Sequence, residues 1–251
     1  MIMGSDADLI MRSDADLAMR SDAEQARNWR SLARRIAITI AVLALWFWTQ
    51  SLIGSRRPSG NGITDAAHLW TAPINAYLLA HPHATDALLV ISSALIDAFG
   101  LFLLLSWLFG RSVRPFLSLL LVMALRQVMQ GMCALPAPDG IIWHYPGFPS
   151  LLVTYKVAND FFFSGHTAIA VLGLYEVSRL GRRWLTIAAS VVLAFEIVTV
   201  LSLRVHYTMD VFTGIVTALL VSELSSRLAP RIDQRLLGRR QLATAMAAAA
   251  D

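Results

Sequence analysis

The chain has one cysteine, Cys133, and one lysine, Lys156, and only 15% of its 251 residues are charged. One cysteine excludes an internal disulfide and a thiolate zinc cluster, and Cys133 reads as a packing residue. The shortage of charge leaves too little polar surface to clothe a globule in water. What is present in excess is apolar: 56% of residues are hydrophobic and the mean hydropathy is +0.57. The surplus apolar area must face lipid. The pI near 9.7 does not point to nucleic acid, because the arginines flank apolar runs instead of forming one polar, aromatic-interleaved face.

Residues 5–28 hold a tandem octad, SDADLIMR, SDADLAMR and the decayed SDAEQARN. A period of eight matches no solenoid, so 1–33 is expected to be a polar cytoplasmic tail. Six apolar segments follow, roughly 35–53, 87–109, 115–135, 163–180, 184–204 and 209–228, each near the ~20 residues that cross the hydrocarbon core. The expected fold is all-α, a six-helix transmembrane catalytic domain over 34–229, followed by a basic, Ala-rich cytoplasmic tail over 230–251. The first apolar stretch has no small-residue cleavage site and is expected to stay as an anchor.

Sixteen arginines fall before span 1, between spans 2 and 3, between spans 4 and 5 and after span 6, against four basic residues, Arg56, Arg57, Lys156 and Arg204, on the other side. The positive-inside rule then makes both termini cytoplasmic. The arginine-rich, alanine-rich composition points to a GC-rich bacterium and its inner membrane. Two longer loops, 54–86 and 136–162, lie on the non-cytoplasmic face. The first is expected to carry a short interfacial helix with Trp70 and Tyr77 at headgroup depth. The second, with LPAPDG and WHYPGFPS, is too rich in Pro and Gly for a helix.

Two motifs fall at that same face. Ser164-Gly165-His166-Thr167 opens span 4, and His206-Tyr207-Thr208-Met209-Asp210 joins span 5 to span 6. If span 6 is helical from about His206, then His206 and Asp210 lie one turn apart on one face. A carboxylate there fixes the imidazole tautomer and frees the other ring nitrogen as nucleophile or base. Ser164 can cap span 4, whose first N–H groups favour an anion. Arg204 offers a guanidinium fork suited to phosphate, and Arg126, partway into span 3, suits a lipid phosphate or a structural pair with Asp97 or Glu196. Either motif alone reads as an ordinary helix start or helix-stabilising contact. Their convergence on one face of a membrane bundle makes a site.

NDFFFSGHTA followed by HYTMDV resembles the sphingomyelin synthase group within the type 2 phosphatidic acid phosphatase superfamily. Leu125-Arg126 with Leu135-Pro136-Ala137-Pro138 is similar to the Arg…LPxP element of those synthases, and Asp160 matches the acidic residue before SGHT. The resemblance covers about 125–215. It implies transfer of a phospho-headgroup from a phospholipid to a lipid alcohol, ceramide- or diacylglycerol-like, through phosphohistidine. His206 is then the nucleophile, Asp210 its orienter and His166 the acid/base, with Arg126, Ser164, Arg204, Asp160 and Tyr207 toward the substrate, and no metal or other cofactor. The KxxxxxxRP element of the phosphatase branch is absent, which disfavours a plain phosphatase. The alternative is a hydrolase using water at the same site. A transporter with Arg126, Asp97 and Glu196 along a pathway ranks third, because the halves carry no inverted repeat. The partners expected are the bilayer and the two lipids, with no nucleic acid, and an oligomer is compatible with the sequence.

Overall fold

The computed structural model describes residues 63–133, 135–153, 155 and 161–248, with side chains through residue 235, together with Trp29, Ala33, Ala37, Ala41, Ala44 and Trp48. The chain divides into two compact units, Met1–Ser59 and Gly60–Asp251. In the first, the few described residues are helical. The octads and most of the expected first span lie outside the described residues.

The second unit is all helix and loop among its described residues. Two short helices, α1 (Ala66–Trp70) and α2 (Ala72–Ala80), precede α3 (Pro82–Leu108), α4 (Arg114–Met132), α5 (Gly165–Ser178), α6 (Arg183–Ser202) and α7 (Thr208–Ala248). Prolines start α2, α3 and α4 in their first turns, where a missing N–H costs nothing and φ is already helical. The expected interfacial helix is thus a pair, α1 and α2, with Trp70 and Tyr77 exposed. Residues 133–164 contain no described helix.

The helices α3 to α7 run alternately up and down. At one end Arg114, opening α4, forms a bidentate pair with Glu176 near the end of α5, with N–O distances of 2.9 and 2.7 Å. Asp233 of α7 accepts from the Val113 N–H at 2.8 Å at the same end. The opposite end gathers the start of α5, the end of α6, the start of α7, and α1 and α2. There, the Thr85 hydroxyl ties α3 to α2 through the Leu78 carbonyl at 2.7 Å.

The central element is α5. It contacts α3, α4, α6 and α7, and every residue from Thr167 to Gly173 is buried, so it shows no single apolar stripe. Small residues allow this approach. A Cβ on Gly214 of α7 would lie 2.8 Å from the Ser164 carbonyl oxygen, so only glycine lets α7 sit against the start of α5. The other helices turn large apolar side chains outward, including Leu105, Phe109, Leu120, Val128, Val191 and Leu220. Exposed apolar faces on this scale require a non-aqueous solvent.

Among the described residues, four helices are long and apolar enough to cross a membrane: α3, α4, α6 and Thr208–Arg235 of α7. The expected fourth span is instead the 14-residue α5. At about 1.5 Å per residue it falls short of the ~30 Å hydrocarbon core. Its burial among four neighbours explains why a less apolar segment suffices there. The expected sixth span lies within the longer α7, which continues through Pro230.

Candidate active site

The start of α5 and the start of α7 are built onto each other. Ser164 is the N-cap of α5, and its hydroxyl oxygen accepts from the Thr167 N–H at 3.3 Å and the Thr167 hydroxyl at 3.0 Å. Its own N–H donates to the Asp210 carbonyl oxygen at 3.1 Å. The first turn of α5, which carries His166, is therefore fixed against the first turn of α7.

The approach to α7 is a tight reversal. Arg204 has φ 54°, a left-handed conformation that costs a non-glycine residue roughly 1–3 kcal/mol. The compensating contacts are visible. Its guanidinium donates to the carbonyls of Asp139 at 2.5 Å and His68 at 3.5 Å. Helix α7 begins at Thr208, not at His206 as expected. Asp210 reaches back to accept from the Tyr207 N–H at 2.8 Å, half of a capping box with the acid at the third helical position. The same carboxylate oxygen lies 3.6 Å from His206 Nδ1. Hence the His–Asp proximity comes from a cap that bends the chain, not from one turn of helix. His206 and Asp210 are both buried, and His206 Nδ1 and Asp210 Oδ1 have no hydrogen-bond partner.

Elements far away in sequence hold this turn. The His68 Nε2–H donates to the His206 carbonyl at 2.9 Å, and the His68 and Tyr207 rings pack at 5.5 Å. The Tyr207 hydroxyl donates to the Pro136 carbonyl at 3.0 Å. Asn75 of α2 bridges the carbonyls of Gly140 and Ser202 at 3.0 and 2.9 Å. Asp65 caps α1 through the Ala67 N–H at 2.9 Å and α7 through the Thr208 N–H and hydroxyl at 2.5 and 2.6 Å. Burial alone would raise the Asp65 pKa, yet these bonds from Thr208 and Ala67 outweigh it and hold the carboxyl below its usual range.

A small cavity opens at this end of the bundle, lined by Arg126, Trp143, Phe161, His166 and His206 with aliphatic neighbours. Arg126 is placed by a 3.0 Å bond from Nε to the Phe163 carbonyl. It also lies flat on Gly165, where an added Cβ would stand 3.1 Å from Nε. One wall is the loop around residue 151, hung on Asp97. That carboxylate accepts from the Ser150 hydroxyl at 2.9 Å and the N–H groups of Leu151 and Leu152 at 2.7 and 2.9 Å. Glu196 accepts from Ser92 at 2.7 Å. Asp97 and Glu196, the acids considered as structural partners of Arg126, thus each accept hydrogen bonds from other groups.

Of the residues expected at the site, His166, His206 and Arg126 line one cavity, and Asp210 lies behind His206. Ser164 and Tyr207 brace the turn from outside the lining. Arg204 departs from expectation: its fork is used on two backbone carbonyls, because the left-handed turn aims it at the 136–140 segment. Asp160 lies outside the described residues. Sequence reading missed His68, Asp65, Asn75 and Trp143. The first three act through backbone groups more than 60 residues away, so no local spacing signals them. Two imidazoles and a guanidinium around one cavity, with one imidazole backed by a carboxylate, can hold an anion, attack it and move a proton.

A family model described as AtPDCT1/2 matches residues 64–227. The chain belongs to the AtPDCT1/2 family. The match runs from just before α1 into α7 and includes every residue that lines the cavity. The chain is also 22% identical over 174 residues to phosphatidylcholine:diacylglycerol cholinephosphotransferase 1 of Arabidopsis thaliana. That alignment takes in 69% of this chain and 56% of the relative, so the chain matches little more than half of the relative's length. No solved structure matches the chain.

Proposed function

We propose that the protein is a membrane enzyme that transfers a phospho-headgroup from a phospholipid to a lipid alcohol, with phosphatidylcholine as donor and diacylglycerol as acceptor. The observation that carries this is the convergence of His166, His206 and Arg126 on one cavity, with Asp210 behind His206. The name of the Arabidopsis relative supports the choice of lipids, and favours diacylglycerol over ceramide.

His206 Nδ1 is buried toward Asp210, which leaves Nε2 for the cavity. In the first step Nε2 attacks phosphorus, the P–O bond to the donor's diacylglycerol breaks, and the leaving oxygen takes a proton from His166. In the second, His166 accepts the proton of the acceptor hydroxyl while its oxygen attacks phosphorus and the P–N bond breaks. Asp210 orients His206 and balances its charge. Arg126 holds the phosphate oxygens, as a guanidinium does well.

The unequal distribution of arginine supports a cytoplasmic location for both termini and a non-cytoplasmic site, in a bacterial inner membrane. The apolar segment 35–53 is the proposed first span, and α5 is a short central helix sheathed by its four neighbours. The 1–33 and 230–251 segments are then cytoplasmic.

The test supplies vesicles with headgroup-labelled phosphatidylcholine and either diacylglycerol, ceramide or no acceptor. Labelled phosphatidylcholine carrying the new diacylglycerol, absent with His206→Ala, is the expected product. Water-soluble phosphocholine as the main product would mark a hydrolase instead.

A further inference from the structure

The polar groups lining the cavity are all on one side of the charge scale. Arg126, His166 and His206 suit a phosphate, whereas among the described residues the lining has no carboxylate. Asp97 holds Ser150, Leu151 and Leu152, and Asp86 pairs with His144 at 2.7 Å. A zwitterionic headgroup that places its phosphate here must still house a cation one ethylene link away. The largest aromatic surface in the lining is Trp143, which meets the His166 ring edge-on at 5.8 Å and 80°.

Trp143 is itself buttressed. Tyr155 packs against it at 4.8 Å with a tilt of 33°. The buried Tyr155 is anchored to α3, donating to the Leu89 carbonyl at 3.4 Å and hydrogen-bonding Ser93. This arrangement fixes the indole next to the reacting histidines.

Resting on the transfer reading above, we propose that Trp143, positioned by Tyr155, is the specificity residue that selects a quaternary ammonium headgroup. A methylated ammonium has no N–H and asks only for a π face and apolar contact. A primary ammonium brings three donors that need acceptors, and the described residues of the lining include no carboxylate.

The test uses the purified full chain in phosphatidylglycerol nanodiscs and compares phosphocholine with phosphoethanolamine by calorimetry. Wild type is expected to bind phosphocholine about tenfold more tightly, which is about 1.4 kcal/mol. Trp143→Leu should weaken phosphocholine about tenfold and leave phosphoethanolamine unchanged, while Trp143→Phe retains most of the preference. Tetramethylammonium, and not ammonium, should compete with phosphocholine on wild type, which keeps the test open should Trp143→Leu fold poorly. Equal binding of the two headgroups by wild type, no measurable binding of phosphocholine, or an equal effect of Trp143→Leu on both would overturn the assignment. Selective binding without lipid product would leave the subsite standing and overturn the transfer reading. Transfer with no choice between phosphatidylcholine and phosphatidylethanolamine would overturn the subsite alone.

Discussion

His68 donates its Nε2–H to the backbone carbonyl of His206, 138 residues further along the chain. Because a carbonyl can only accept, the bond fixes the His68 tautomer with its proton on Nε2. The segment before the bundle thus clamps the turn that presents the proposed nucleophile. His68→Ala leaves that buried carbonyl unsatisfied, at about 1–3 kcal/mol. The expected outcome is a lower thermal midpoint in detergent and a reduced turnover number, with the KM for donor lipid little changed.

Asp210 does two jobs with one carboxylate oxygen, capping Tyr207 N–H and facing His206 Nδ1. Asparagine can keep the cap but not the charge. Asp210→Asn is therefore expected to lower transfer by at least about 100-fold at a near-native thermal midpoint. Asp210→Ala should lose the cap as well, at about 1 kcal/mol, so the two variants should match in activity and differ in melting.

Asp65 makes stability depend on acid. Its carboxyl titrates below the ordinary 3.8 in the folded chain, so its contribution is fully present above that value. It is lost as pH falls through the lower folded value. Asparagine mimics the protonated acid. Wild type should therefore melt above Asp65→Asn at pH 7, and the gap should close as the pH drops below about 3.8. A gap that does not change with pH would contradict the assigned bonds.

Much of the bundle was legible because apolar length is a local property. The segments 87–109, 115–135 and 184–204 correspond to α3, α4 and α6 with ends displaced by a few residues. The segment around 163–180 was harder, since a helix buried on all sides needs neither a stripe nor full membrane length. His166, His206 and Asp210 were legible from their motifs, yet the reason for the His–Asp contact was not. The helix starts two residues later than the spacing suggested, and a cap replaces the helical turn. Arg204 was misread because a left-handed backbone redirects a side chain, which composition does not reveal. His68 and Trp143 owe their positions entirely to tertiary contacts.

At the far end, Arg114 and Glu176 form a largely buried bidentate pair. Removing one partner strands the other, at about 3 kcal/mol. Arg114→Ala should lower the thermal midpoint sharply while the folded fraction transfers at the wild-type rate. The double variant Arg114→Met/Glu176→Leu should recover much of the loss, and thermal unfolding of the four proteins forms the cycle that checks it.

The central claim is that His206 carries the headgroup covalently. The direct measurement is rapid quenching of the enzyme with donor phospholipid labelled at phosphorus and no acceptor, followed by analysis of the protein. The account predicts acid-labile, base-stable label on His206 in the wild type, its retention in Asp210→Asn at a slower rate, and its release into new phospholipid when diacylglycerol is added. Product formation by wild type with no label on the protein, or equal labelling of His206→Ala, would contradict it.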